Sequence, residues 1–426
     1  MNHYPSNVKE KLNSIILSMA EHHWLFSKNP GHDFTRQHLG KLSFYDTMRL
    51  IISMGKGSTN DEIMDYFDLD PDLIPSQSAF CQRRRQISLS AFEYLFSEFS
   101  SSFPSTTDKF KDHCILACDG CHVVYATNSD IIEDYNKPRL IDYKGYNHMH
   151  LNGFVDVISK AFLDVVIQPG QQPDEREALH SMLDHFTPDD PQKYIITADR
   201  GYESYDLLFH CELKNLGYVF RVKSPSSPKS ILSYYASELP DDLEEFDVTI
   251  KRFFTDKATN IMKSHQMFTA TSIPVKIPLI FMSFSGKNTV IFISYSFALL
   301  RSKQPEFLKQ EIYSRLILYN FGIFIANEAA EENRKKKRDG SNKYLYEYPS
   351  FWHTCFWLFE FKISDIRQQL GYRTKLQTTG LMALPLEYSR LIFSIYFHDN
   401  QQLNLLLLLL PSLDMLHSKK FRYKYC

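Results

Sequence analysis

Two aspartates stand at the ends of apolar runs with a glycine close behind: Asp119 in "CILACDG" and Asp199 in "IITADRG". Runs rich in Ile, Val and Thr favour buried, pleated strands, and glycine marks turns, so both carboxylates are predicted at strand ends. Open α/β sheets bind their ligands at the C-terminal ends of the strands. A single aspartate there is as readily a helix cap as a ligand. A pair on neighbouring strands is different, because two close carboxylates repel unless a hard cation sits between them. Mg²⁺ or Mn²⁺ held in that way suits the breaking and joining of phosphodiesters. Asp156 and Asp164 also lie in strand-like segments, but without the glycine, and are read as edge or surface positions.

The elements that must position this pair follow from periodicity. After residue 113, "CILACDG", "HVVYAT", "NGFVDVI" and "AFLDVVIQ" read as short strands. Helix "DEREALHSMLDHF", strand "KYIITAD", helix "SYDLLFHCELKNL" and strand "YVFRVK" follow in alternation, which predicts a mixed α/β sheet. Residues 245–297 return to strand patterns, an inserted β region, and "PEFLKQEIYSRLILYNFGIFIANEAA" reads as a long helix begun by Pro305.

Upstream the chain is helical. Helices are predicted at 8–25 and on either side of the glycines in "FYDTMRLIISMGKGSTNDEIMDYF", the second capped by Thr59 or Asn60. A short helix in "SAFCQRRRQIS" carries Arg83, Arg84 and Arg85. Helix, connection and basic helix is the layout of a helix-turn-helix DNA reader, although "DLDPDLIP" is long for the turn, and a plain helical bundle fits equally well.

The 426 residues suffice for two or three domains, and the net charge of −2 conceals separate basic runs suited to gripping phosphate. Seven cysteines at irregular spacing point to reduced thiols in the cytoplasm rather than a disulfide frame. The "LLLLLL" run at 405–410 stops at Pro411, far short of the ~20 residues needed to cross a bilayer, so no membrane partner is expected. Cys114, Cys118 and Cys121 have the spacing of an iron–sulfur motif, a remote alternative. A strand would separate the first two by roughly 13 Å, too far to share one cluster.

"LACDGCHVVYA", "YKGYNHMHLNGFVDVISKAFLDVVIQP" and "IITADRGYESYDLLFH" resemble, in order, the transposases of bacterial insertion sequences, more narrowly the IS-four group. The resemblance spans about residues 30–330 and is most specific over 113–223. It implies a ribonuclease-H-like core with a DDE catalytic triad and a β insertion at about 225–300. A helical DNA-binding domain over 1–105 precedes the core at 106–330, and a basic, poorly patterned region over 331–426 follows it. It implies Asp119 and Asp199 as the first two catalytic, metal-holding carboxylates. The activity implied is cleavage of the ends of a mobile element with Mg²⁺ or Mn²⁺, followed by strand transfer. The partners implied are double-stranded DNA (terminal inverted repeats and target) and a second copy of the chain as a homodimer on the nucleoid of a bacterial cytoplasm.

The family's third carboxylate lies in a Tyr-Arg-Glu-Lys signature that this chain lacks. The strand "NTVIFISYS" runs almost directly into the long helix, as though an internal deletion had removed the signature. Glu306 and Glu311 are the nearest substitutes, each also readable as an ordinary helix-surface glutamate. The expectation is therefore an impaired transposase or, alternatively, a catalytically inactive DNA-binding remnant. Arg83, Arg84, Arg85, Lys144, Arg221 and Lys223 are the expected phosphate contacts, with His148 and His150 near the site.

Overall fold

The computed structural model describes residues 4–35, 41–55, 57–67, 70, 72–103, 112–137, 145–224, 226–233, 249–250, 275–276, 300 and 302–338. Five helices open the chain: α1 (Tyr4–Glu21), α2 (Phe44–Ser53), α3 (Thr59–Tyr66), α4 (Gln77–Gln86) and α5 (Leu89–Ser101). Serines start several of them. Ser43 and Asp46 form a reciprocal capping box on α2, and Ser58 and Asp61 do the same on α3. The cap of α3 is therefore one residue earlier than the sequence suggested. Helix α5, whose "LSAFEYLFSEFSS" buries Phe92, Leu95, Phe96 and Phe99 on one side, was not anticipated.

The sheet follows: β1 (Cys114–Tyr125), β2 (Tyr135–Asn136), β3 (Tyr146–Asp156), β4 (Phe162–Pro169), β5 (Tyr194–Ala198) and β6 (Gly217–Phe220). Helices α6 (Glu175–His185) and α7 (Tyr205–Leu213) alternate with the last two strands. The order is β2-β3-β1-β5-β6, with β4 also on β3. Strands β1, β3 and β4 are antiparallel, while β1, β5 and β6 run parallel. This mixed sheet with helices on both faces is ribonuclease-H-like. Two short antiparallel strands, β7 (Thr249–Ile250) and β8 (Val275–Lys276), fall in the expected β insertion. The rest of that insertion and residues 339–426 lie outside the described residues.

One face of the sheet packs on α6 and α7, around Leu116, Cys118, Phe154, Leu179, Met182 and Leu207. The other shares a core with α1, α2, α5 and α8 (Pro305–Arg338), through Val123, Met149, Phe162, Leu308, Ile317 and Phe321. The helical start and the sheet are therefore joined by one continuous apolar cluster. Asn320 of α8 fastens it: its Oδ1 accepts from Phe162 N at 2.9 Å, and its Nδ2 donates to Phe162 O and Ser100 Oγ, both at 2.8 Å. The side chain thus bonds both backbone groups of the residue that opens β4. Among the described residues, no helix is long and apolar enough to cross a membrane.

Candidate active site

In the parallel part of the sheet, Cys118 lies beside Ala198, and Ala198 beside Phe220. One step further along come Asp119, Asp199 and Arg221. Arg221 N donates to Ala198 O at 3.0 Å, continuing the ladder into that row. Adjacent strands are about 4.8 Å apart, so two aspartates 80 residues distant in sequence become lateral neighbours. Both are exposed. Asp119 Oδ1 accepts from Gly120 N at 2.9 Å, and Asp199 Oδ1 accepts from Gly201 N at 2.6 Å. These bonds fix how each carboxylate points.

The setting of Asp119 differs from the strand end that the sequence suggested. β1 continues without a break through Gly120 to Tyr125, paired with β3 the whole way; only its neighbour β5 stops. "CILACDG" and "HVVYAT" are thus one strand. Gly120 is a strand residue whose missing side chain makes room. A Cβ there would lie 2.5 Å from His150 Nε2 and 2.7 Å from Glu175 Oε1. A Cβ on Gly201 would lie 2.9 Å from Asp199 Oδ1 and 3.1 Å from Glu175 Oε2. The two glycines leave a cradle walled by acidic oxygens.

Glu175 escaped the sequence reading, where it was absorbed into a helix. Asp174 caps α6, accepting from Arg176 N at 3.0 Å and Glu177 N at 3.1 Å, and so places Glu175 at the first helical position, facing the strand ends. The acidic pair that opens this helix, directly after the strand, was the available signal. Glu175 Oε1 lies 3.1 Å from Nε2 of His150, which is buried; the two form an ion pair when the imidazole is protonated, and that nitrogen makes no well-formed hydrogen bond.

The electrostatics follow from crowding. Loss of water, then the neighbouring charges of Asp199 and Glu175, holds the Asp119 carboxyl above the usual aspartate range, opposed by the Gly120 amide. Glu175 is held below the ordinary range, chiefly by His150. His122 and His148, whose rings flank each other at 4.5 Å, are both lowered, first by burial and then by neighbouring imidazoles.

The other expected site residues go elsewhere. Arg84 is buried, not on a DNA-facing surface: Nε donates to Gln310 Oε1 at 2.9 Å, Nη2 to Phe307 O at 2.7 Å and Nη1 to Glu311 Oε1 at 3.2 Å. Glu311 is thereby committed to Arg84 and to Ser302, and Glu306 pairs with Lys28 at 2.6 Å. Both glutamates take part in the packing of α8 on the N-terminal helices. Arg83 is half-buried over the Phe34 ring, and Arg85 is exposed. Lys223 Nζ pairs with buried Glu203 at 2.9 Å and donates to Arg200 O at 2.7 Å, so its charge is already matched inside the fold. Arg221 is exposed beside Asp199. Lys144 lies outside the described residues. Tyr202, which follows the Asp199 loop, is buried, its hydroxyl 3.4 Å from Asn152. Asp156 is also buried, accepting from Ile158 N and Ser159 N in the β3–β4 turn, rather than lying at the surface.

The iron–sulfur alternative fails on geometry. Cys114 and Cys118 are buried positions of the same strand, and Cys121 points to its opposite face. Among the described residues, no three His, Cys, Asp or Glu side chains are arranged to hold a metal ion as they stand. The donors around the Gly120–Gly201 cradle are nevertheless hard carboxylate oxygens, the ligand type that Mg²⁺ and Mn²⁺ take.

No curated protein matches the chain significantly. Among solved structures, the cryo-EM structure of a piggyBac transposase synaptic complex with hairpin DNA matches at 11% identity and a TM-score of 0.40. The match covers 94% of this chain and 84% of that one, a similarity too low to carry an argument. Residues 110–279, the stretch that holds both aspartates, Glu175 and Arg221, match the family model of the transposase DDE domain, which supports a DDE transposase.

Proposed function

We propose that the chain acts in DNA transposition, with Asp119 and Asp199 as the carboxylates that hold a divalent cation, Mg²⁺ or Mn²⁺, against DNA. The observation that carries this reading is the in-register row Asp119, Asp199 and Arg221, exposed at the sheet edge within the segment that matches the transposase DDE domain. When bound, the cation would activate the oxygen that attacks phosphorus and stabilise the one that leaves.

The chain's own groups do the rest. The amides of Gly120 and Gly201 fix the two carboxylates. Exposed Arg221 offers a planar donor to a phosphate beside Asp199, and exposed Arg85 offers another on α4. The aspartates are open to solvent, as a contact with a phosphate backbone requires. A DNA duplex carrying two element ends would engage two copies of the chain, each supplying one such row.

A second reading is favoured by one specific observation. The Tyr-Arg-Glu-Lys signature of the IS-four group is absent, and Glu306 and Glu311 are tied to Lys28 and Arg84. On that reading the fold binds DNA without cutting it. A duplex carrying the element's end, incubated with Mg²⁺ or Mn²⁺, separates the two. Cleavage that disappears in Asp119→Asn establishes the enzyme, and binding with no cleavage establishes the remnant.

A further inference from the structure

We infer that Glu175 is a third carboxylate of the cation site, released from His150 when the ion arrives. The inference rests on the function proposed above and adds to it a ligand from the start of α6.

Position is the first argument. Glu175 Oε2 and Asp199 Oδ1 lie 3.1 and 2.9 Å from one and the same point, the empty Cβ position of Gly201. They are therefore no farther apart than the sum of those distances. Two oxygens on one Mg²⁺ at 2.0–2.1 Å stand roughly 3 to 4 Å apart, within reach of a small side-chain shift. Arg176 Nε donates to Gly201 O at 3.3 Å, so the first turn of α6 is already fastened to the loop that carries Asp199. Asp119 also feels the charge of Glu175.

An independent second argument comes from His150. Its side chain is 5% exposed, and Nε2 has no hydrogen-bond partner although it points into the cradle 3.1 Å from Glu175 Oε1. A buried polar atom left in that state is a cost that native structures seldom carry without a purpose. The pair holds Glu175 at the cradle without a well-formed hydrogen bond, so the carboxylate can turn toward a cation by a small side-chain movement. Glu175 also supplies the carboxylate that Glu306 and Glu311 do not.

The test is a Mn²⁺ titration of the full chain, followed by the loss of the free-ion paramagnetic resonance signal, with thermal melts to establish that each variant is folded. Glu175→Gln is expected to weaken Mn²⁺ binding about tenfold or more. His150→Gln is expected to bind as tightly as the unaltered chain or tighter, because it frees Glu175. Asp199→Asn must also weaken binding, and this arm tests the underlying reading alone. Normal binding in Glu175→Gln with loss in Asp199→Asn overturns the role of Glu175 and leaves the aspartate pair standing. Equal losses in Glu175→Gln and His150→Gln overturn it as well, since they make the pair merely structural. No Mn²⁺ binding by the unaltered chain, or none lost in Asp199→Asn, overturns both.

Discussion

Arg84 and Asp119 each anchor a polar cluster, and the two clusters are built on opposite plans. Around Arg84 the charges are opposite and closed. The guanidinium meets one carboxylate, one amide oxygen and one carbonyl, it is buried, and Glu311 takes a further bond from the Ser302 hydroxyl. Around Asp119 the charges are alike and open. Glu175 and Asp199 wall a space cleared by two glycines, Asp119 lies within reach of their charges, and the His150 imidazole stands against Glu175. A matched buried cluster holds elements together, here α4 to α8. A solvent-facing cluster dominated by one sign favours a cation that arrives from solution. The difference separates an arginine that the sequence placed on DNA from the aspartates proposed to hold the cation.

Breaking the closed cluster should have the largest effect on stability. Arg84→Met takes the buried guanidinium away from half-buried Glu311, Gln310 and the Phe307 carbonyl, and should lower the unfolding free energy by about 3 kcal/mol, read by urea denaturation. Asn320→Ala breaks the other buried polar fastening of α8. It leaves Phe162 N and O unpaired and should cost about 1–3 kcal/mol in the same measurement.

The open cluster should respond in the opposite sense. Asp119→Asn removes a carboxylate that its neighbours repel, so in the absence of divalent cations the variant should melt no lower than the unaltered chain, and higher at neutral pH, while its DNA cleavage is abolished. A marked loss of stability would place Asp119 among the structural residues instead.

The smallest effect sharpens the electrostatic part. The Asp119 carboxyl is raised in the folded chain, so its contribution to stability is present in acid and is lost as pH rises through its folded midpoint. Asp199→Asn removes one of the repelling charges and should lower that midpoint toward the ordinary aspartate value, as measured by carboxyl NMR titration. An unchanged midpoint would mean that the two side chains do not sense each other.

Much of the fold was legible because apolar alternation is a local signal. "KYIITAD", "AFLDVVIQ" and "YVFRVK" lie where the strands do, and the strands that carry Asp119 and Asp199 are neighbours in the sheet, as a mixed sheet allows. What escaped depended on partners distant in sequence. Gly120 reads as a turn from its type alone, but β3 pairs across it and makes it a strand residue. Three successive arginines read as phosphate contacts, yet one points inward because α8, more than 220 residues later, presents Gln310 and Glu311 to it. Glu175 reads as an N-terminal helix charge, and only the juxtaposition of α6 with the loop after β5 reveals its second environment. Lys223 reads as a phosphate contact until Glu203 is seen beneath it.

The most direct test of the central claim is a crystal of the chain soaked in Mn²⁺, with data collected at a wavelength where manganese scatters anomalously. The account predicts an anomalous peak within coordination distance of carboxylate oxygens of both Asp119 and Asp199. A peak bound elsewhere, or none beside these two side chains at saturating Mn²⁺, would contradict it.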